Sequence, residues 1–476
     1  MPTYLSPGVY VEEVPSAVKA IAGVSTSTPG FIGVVPNSIV IPLEAVVNRQ
    51  IGIGDGTDTT FDLPSTPPTV HHPVLTASGT FQVRVNGNPV SATLAPNAGN
   101  TATTVTLAAA AASGARITAD YVVVRNFSPL VAGEVRLCTN FSDYKKFFGD
   151  FSTDAGHRNL THAVFGFFNN GGSRCFVSRA TGTVGIQAIL TKFEAIDEIA
   201  IVAAPGITDD SVRSQVDTHC RQATQDRFAI FDSPEVVETA GVLDTTLLNP
   251  STANNVAPDN TDFGAFYFPW IQVFDPATKI QTPSGPGLQF VPPSGHIAGI
   301  YARVDTQRGV HKAPANEVVL GALGLKYAIS KSLQDGLNPL GVNCIRDLNG
   351  NIRVWGARTM GGDANADLKY INVRRTLIFL RESIDEGMQF VVFEPNNPQL
   401  WQKIIRNVSA FLTNVWRSGA LFGTTPQEAF FVKCDAELNP PEVRELGQVI
   451  TEIGVAIVRP AEFVIFRISQ FTAPSK

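Results

Sequence analysis

The sequence predicts a multidomain α/β protein with a small all-β domain set into it, and three observations lead there. The chain has 476 residues, of which 44 % are hydrophobic and only 16 % charged, enough apolar material for more than one core. From about residue 161 onward, continuous apolar runs alternate with stretches of helical periodicity, the pattern of a parallel sheet covered by helices. Between residues 37 and 126 the texture changes to short alternating segments separated by turn signals.

Residues 1–36 read as an extended arm and a first strand. "GVYVEEV" is short and β-prone between Pro7 and Pro15, and a buried strand follows over Phe31–Val35. Such an arm has no core of its own and needs a sheet edge to pair with. Residues 37–126 form the all-β domain, sandwich-like. In "FQVRVNG", Phe81, Val83 and Val85 alternate with Gln82 and Arg84, and Asn86-Gly87 supplies a hairpin turn. Without this stretch, "GFIGVVP" would run into "EVRLCTNFSDYKKFFG" as one strand–loop–helix passage, so it reads as an insertion in a surface loop, where loop closure costs little.

Residues 127–345 read as an α/β domain. "HAVFGFFNNGG" is a helix closed by glycines and "RCFVSRA" a strand. "EIAIVAAPG", "DDSVRSQVDTHCRQATQ" and "RFAIFDSP" form a βαβ unit with the usual right-handed crossover. "FGAFYFPWIQVFDP" reads as one further strand, "TKIQTPSGPGLQFVPPSG" as a hairpin-like loop, and "HIAGIYARVD" lies in the next helix.

Residues 346–476 read as a second α/β unit. "NIRVWGARTMG" is a strand, "KYINVRRTLIFLRESIDEG" a helix capped by Gly387, and "MQFVVFEPN" a strand. Asn397 and Pro398 open a helix with Leu400/Trp401, Ile404/Ile405, Val408, Phe411/Leu412 and Val415/Trp416 at helical spacing. A second helix is expected over 440–454, with Asn439 as N-cap and Val443, Leu446, Ile450 and Ile453 on one face. "AEFVIFRISQ" is an alternating final strand.

The totals exclude several functions. A net charge of −6 does not suit a general nucleic-acid binder. The five cysteines are scattered with no CxxC spacing, which points to free buried thiols in a reducing cytoplasm. The opening residues carry no secretory signal, and no stretch approaches the ~18 apolar residues of a membrane span. GxSxG, HExxH and GxxxxGK[ST] are absent. "GIGDG" and "FNNGGSRC" lack the strand–loop–helix order of a phosphate cradle. "DGTDTTFD" lacks the bidentate Glu of a calcium loop, and His71-His72 has no further metal ligand in local register. No cofactor and no metal are expected.

The densest polar cluster is "GIYARVDTQRGVHKAPAN", which gathers Arg303, Asp305, Arg308, His311 and Lys312. It offers an acid and a base without a local Ser or Cys nucleophile, and its arginines suit ion pairing more than proton transfer. Arg303, Asp305 and Arg308 therefore read as the core of a structural joint. Two rivals are a hydrolase using Asp305 and His311, and a monomeric surface-binding protein acting through the β domain.

Several passages resemble contractile tail sheath proteins, the outer cylinders of phage tails, tailocins and phage-like injection systems. They are "YLSPGVYVEEVPS" with "STSTPGFIGVVP", "NGGSRCFVSRA", "GHIAGIYARVDTQRGVHKAPAN", and the run from "VWGARTM" through "YINVRRTLIFLRESI" and "FEPN" to "AEFVIFRISQ". The resemblance implies a subtilisin-like α/β domain without a catalytic triad, and a C-terminal α/β assembly domain. It also implies hexameric rings stacked around an inner tube, with baseplate and tail-terminator or cap proteins as further partners. No nucleic acid and no direct membrane insertion are expected. The particle would assemble in the bacterial cytoplasm. Strands that pair between subunits would include Val9, Tyr10, Val11 and Val14 at one end and Phe463, Val464, Ile465, Phe466 and Ile468 at the other. Pro15-Ser16 and Arg459-Pro460 would be their hinges. Lys403, Arg406, Arg417 and Arg444, opposite the apolar stripes of their helices, are expected to face the tube.

Overall fold

The computed structural model describes residues 21–63, 81–96, 103–252 and 254–465. The described residues fall into two compact units, a larger one of 25–375 with 460–465 and a smaller one of 21–24 with 376–459. This division differs from the boundary expected at 345/346, which falls inside strand Val342–Leu348. That strand is hydrogen-bonded on both sides in the larger unit's main sheet, so the chain cannot part there.

The main sheet has nine strands: β1 Pro29–Val34, β2 Val135–Cys138, β3 Cys175–Ala180, β4 Ile201–Ala203, β5 Phe228–Asp232, β6 Gly264–Phe268, β7 Glu317–Val318, β8 Val342–Leu348 and β9 Asn351–Val354. Their order is β7-β9-β8-β6-β5-β4-β1-β3-β2. The six central strands from β8 to β3 run parallel, and antiparallel pairs close both edges. Strands β5 and β6 are buried at every residue, as continuous apolar runs in a doubly covered sheet should be.

Two helices of this unit matter below. Helix α1, Ala155–Asn169, starts where the Asp154 side chain accepts from the His157 N–H, and the chain turns at Gly171 with φ 107°. Helix α2, Ser294–Arg308, packs on α1 through glycines. A Cβ at Gly295 would lie 2.2 Å from the Ala163 Cα, and one at Gly166 would lie 2.3 Å from His296 Nδ1. The expected strand "FGAFYFPWIQVF" divides at Pro269, whose missing N–H cannot continue a ladder. Its second half, Ile271–Phe274, joins a separate three-stranded sheet with Leu288–Val291 and Ala322–Leu325. The expected hairpin-like loop therefore takes in the end of helix Pro276–Gln281 and one of these strands.

Within 37–126 the described elements are all strands, in two sheets. Ile39–Ile53, Arg116–Phe127, Gln82–Val85 and Asn88–Val90 form one, and Thr60–Leu63, Thr103–Leu107 and Ala92–Pro96 the other. Leu63, Val83, Val105, Leu107, Ile117, Ala119 and Tyr121 are buried in a shared core. Asn86 and Gly87 both take positive φ, 51° and 86°, the turn expected of that dipeptide. Ile39–Ile53 and Arg116–Phe127 run antiparallel from Ile39↔Phe127 to Ile53↔Arg116, carrying the chain out and back.

Helix α3 is Ile371–Met388. In the smaller unit, helix α4, Pro398–Arg417, is N-capped by Asn397, which accepts from the Leu400 N–H, and it buries Leu400, Trp401, Ile404, Val408, Phe411, Leu412 and Val415. Gly387 lies inside α3 and does not cap it. A Cβ there would meet Ile21 at 2.7 Å, so the position serves close packing. Two further expectations fail. "MQFVVFEPN" is a short 3-10 turn, Gln389–Val391, followed by an exposed Phe393 at φ 66°. The helix expected over 440–454 is only Pro441–Glu445. The backbone turns left-handed at Gly447, φ 72°, leaving Leu446 74 % exposed. Glu452–Val455 is instead a strand paired with Phe430–Lys433.

Candidate functional site: ion-paired anchors and an exposed arm

The last turn of α2 carries Asp305, and the N-terminal part of α3 carries Arg375, 70 residues further on. The guanidinium forks the carboxylate, Nη1 to Oδ1 at 2.9 Å and Nη2 to Oδ2 at 2.6 Å. Thr26 Oγ1 donates to Oδ2 at 2.6 Å, and Arg375 Nη2 donates to the Thr26 carbonyl at 2.8 Å. The guanidinium also lies 4.6 Å over the Tyr301 ring, whose hydroxyl is 2.8 Å from that of Tyr267. The side chains of Arg375 and Asp305 are 3 % and 6 % exposed. Burial disfavours the Arg375 charge, but the charge and hydrogen bonds of Asp305 more than offset this and raise its pKa. Both Asp305 oxygens are thus engaged in fixed bonds, which makes the group a staple.

The pairing expected among Arg303, Asp305 and Arg308 is not what the fold makes. Residues two apart on a helix point to different sides, so Arg303 cannot share the Asp305 site. Arg303 donates to the carbonyls of Asn170 at 3.1 Å and Val318 at 2.8 Å and lies 3.7 Å from the Glu317 carboxylate. Lys312 reaches the same Glu317 at 2.8 Å. Arg308 is exposed. The pKa of His311 is lowered by its burial and by the nearby Arg308 charge, with Asp305 opposing.

A second buried acid, Asp232, ends β5. It accepts from the Ser294 N–H at 2.8 Å, the Ser294 hydroxyl at 2.6 Å and the Gly206 N–H at 3.1 Å, so it satisfies the first turn of α2. Burial pushes its pKa up to about 6 against these bonds. Ser294 is itself fully buried and spends its hydroxyl on this cap.

Arg179, at the end of β3, binds both roots of the β-rich segment. It donates to the carbonyls of Val35 at 2.9 Å and Pro36 at 3.3 Å, and to Asn37 Oδ1 at 3.1 Å, on the outgoing side. On the returning side it donates to the carbonyls of Pro129 at 3.5 Å and Leu130.

A third anchor holds the C-terminal segment on the larger unit. Arg358 forks Glu462, Nε to Oε1 at 2.8 Å and Nη2 to Oε2 at 2.8 Å. Asn338 Nδ2 donates to Oε1 at 2.7 Å, and the Tyr370 hydroxyl donates to Oε2 at 2.9 Å. Arg358 also reaches Asp363 at 3.0 Å. Burial would raise the Glu462 pKa, but the bonds from Arg358, Asn338 and Tyr370 outweigh it and leave the pKa lowered. Beyond this anchor Phe463, Val464 and Ile465 are 70, 68 and 78 % exposed and in no strand. Phe466 and Ile468, like Val9, Tyr10, Val11 and Val14, lie outside the described residues. In the smaller unit the sheet of Phe430–Lys433 and Glu452–Val455 has two strands, and among the described residues no third strand joins either edge.

Of the four cations expected on one surface, Arg406 and Arg417 are exposed on α4, opposite its buried stripe. Lys403, on the same helix, is half-buried with its ammonium 4.8 Å over the Phe390 ring. Arg444 is exposed in the short helix Pro441–Glu445. Asp232, Arg179, Arg358, Glu462 and Arg375 were missed as anchors. Glu462, a lone acid entering the apolar run "FVIF", was the only one with a local signal.

Comparison with known proteins agrees over most of the chain. The model of the phage tail sheath protein central domain matches residues 180–360, and that of the phage tail sheath C-terminal domain matches residues 363–471. The tail sheath protein of Burkholderia phage BcepMu is 27 % identical over 203 residues, 41 % of this chain and 40 % of that protein's own length. A putative prophage major tail sheath protein of Pseudomonas aeruginosa strain UCBPP-PA14 is 24 % identical over 307 residues, 61 % of this chain and 70 % of its own. In fold, the chain is similar to the contracted-state sheath of an extracellular contractile injection system (PVC), with TM-score 0.63, 24 % identity and 99 % of each chain covered. It is also similar to the contracted helical sheath of the anti-feeding prophage, with TM-score 0.62, 22 % identity, 98 % of this chain and 100 % of that one. The matched relatives are structural sheath proteins, and the two family models lie side by side over more than half of the sequence. The chain therefore belongs to the phage tail sheath family, as a structural subunit and not an enzyme.

Proposed function

We propose that this subunit polymerises as stacked hexameric rings around an inner tube and contracts to drive that tube through a target cell envelope. The observation that carries the reading is the pairing of an unfilled sheet with unspent apolar residues. Among the described residues, the two-stranded sheet at 430–433 and 452–455 has open edges, while Phe463, Val464 and Ile465 are exposed and in no strand. Strand addition between copies would satisfy both, because main-chain hydrogen bonds at an edge need no side-chain match. The N-terminal residues Val9, Tyr10, Val11 and Val14 would take part in the same way. The extended sheath is then a metastable assembly held by a barrier, and contraction needs no nucleotide.

Within this reading, 1–36 is the arm, 37–126 an inserted domain on the outside of the cylinder, the α/β remainder of the larger unit a subtilisin-like domain without its triad, and the chain from 376 onward the assembly domain. Lys403, Arg406, Arg417 and Arg444 contact the tube. The partners are other copies, the tube, the baseplate and a terminator, in a phage tail or contractile injection particle. Electron microscopy of the purified chain tests the core claim. Long striated tubes are expected, and a chain ending at Glu462 should give none. Monodisperse globules from the full chain would overturn the proposal.

A further inference from the structure

Among the described residues, the C-terminal arm is anchored to the larger unit at Glu462, and that residue fixes where it can turn. From the geometry around Glu462 we infer that this side chain is the positioning residue of the arm, and that the arm pivots beyond it and not at Arg459-Pro460. This rests on the strand-exchange reading above. Four hydrogen bonds converge on the two Glu462 oxygens from three separate places in the chain: Arg358 after β9, Asn338 before β8, and Tyr370 at the entry to α3. Arg358 is 4 % and Glu462 18 % exposed, so this fork is largely shielded from water. The next three side chains are 68 to 78 % exposed. Fixed and free chain thus meet at the 462–463 bond.

An arm that must reach a neighbour while its own subunit rotates needs a defined point of departure. A pivot upstream of the anchor would tear out a buried carboxylate at each stroke, whereas a pivot downstream costs only backbone rotation in exposed chain. Glu462 would therefore set the reach and direction of the arm, with Asn338 and Tyr370 orienting its carboxylate.

The test uses the full chain with E462Q and Y370F, beside a chain truncated after Glu462. Limited chymotrypsin cleavage at Phe463 reads how tightly the segment is held, and microscopy reads tube formation. E462Q should cleave at least about tenfold faster at Phe463, because a charge-assisted fork is lost, and Y370F should cleave by a smaller factor. Unchanged circular dichroism would show that both variants fold, and Arg358 keeps Asp363 as its partner in E462Q. E462Q should also give fewer or irregular tubes. Cleavage and tubes identical to wild type in both variants, with the truncated chain forming none, would overturn the anchor and leave strand exchange standing. Tubes from the truncated chain would instead overturn strand exchange itself.

Discussion

Replacing Asp305 by Asn removes one charge from the Asp305–Arg375 pair and keeps its shape. The Arg375 side chain is only 3 % exposed, and its guanidinium would retain the Thr26 carbonyl at 2.8 Å and the Tyr301 ring. The Asn amide would also turn an N–H toward either Arg375 or the Thr26 hydroxyl, where an acceptor now stands. Breaking a buried ion pair from one side costs about 3–5 kcal/mol, mostly through the stranded charge. The surviving contacts lower this to about 2–4 kcal/mol for Asp305→Asn. Arg375→Met alone strands the carboxylate, with Thr26 as its one remaining donor among the bonds described, and should cost a similar amount. The double variant leaves no charge unpaired and should recover at least about 1.5 kcal/mol relative to the sum of the singles. Urea midpoints followed by circular dichroism give all three values. Single variants that cost less than about 0.5 kcal/mol, or a double variant equal to the sum, would refute a buried staple.

Asp232 gives a pH signature. Its carboxyl stands at about 6 in the fold against 3.8 ordinarily, so its contribution is fully present below pH 3.8 and is lost as pH rises through 6. Relative to Asp232→Asn, the wild type should lose about 3 kcal/mol between pH 3.5 and 7.5, and parallel melting curves across that range would contradict the assignment. Deleting residues 40–125 should leave a folded, tube-forming chain, because four of the carbonyl or amide partners of Arg179 flank the deletion at Val35, Pro36, Asn37 and Pro129; loss of tubes would sink the insertion reading. Gly295→Ala should destabilise by about 1–3 kcal/mol as α1 and α2 are forced apart, measured by thermal melting. Leu412→Ala should cost about 2–5 kcal/mol and Leu446→Ala under about 0.5 kcal/mol, since the first is fully buried and the second 74 % exposed. Equal losses would restore the long helix expected over 440–454.

Strands β5 and β6, helices α1, α2 and α4, the Asn397 cap and the Asn86-Gly87 turn were legible in the sequence. Each depends on residues within a few positions of one another, and each was strong in its own period or cap chemistry. The failures came where a local pattern was ambiguous. "MQFVVFEPN" has β composition but folds as a single 3-10 turn before Phe393 turns left-handed, and 440–454 keeps a helical spacing that Gly447 interrupts after little more than one turn. The strand through "YFPWIQ" ignored what Pro269 does to a ladder.

For the candidate site the line falls in the same place. The sequence by itself determined that this is an α/β chain with a β-rich excursion, without phosphate loop or metal spacing, and that the cluster around Asp305 is built from ion-pairing groups. Only the tertiary structure decided whom those groups pair with. Asp305 meets Arg375 across 70 residues, Glu462 meets Arg358 across 104, and Arg179 meets Val35 across 144. Helical and strand periods specify which way a side chain points, and nothing in a period says which distant segment the fold will bring opposite it.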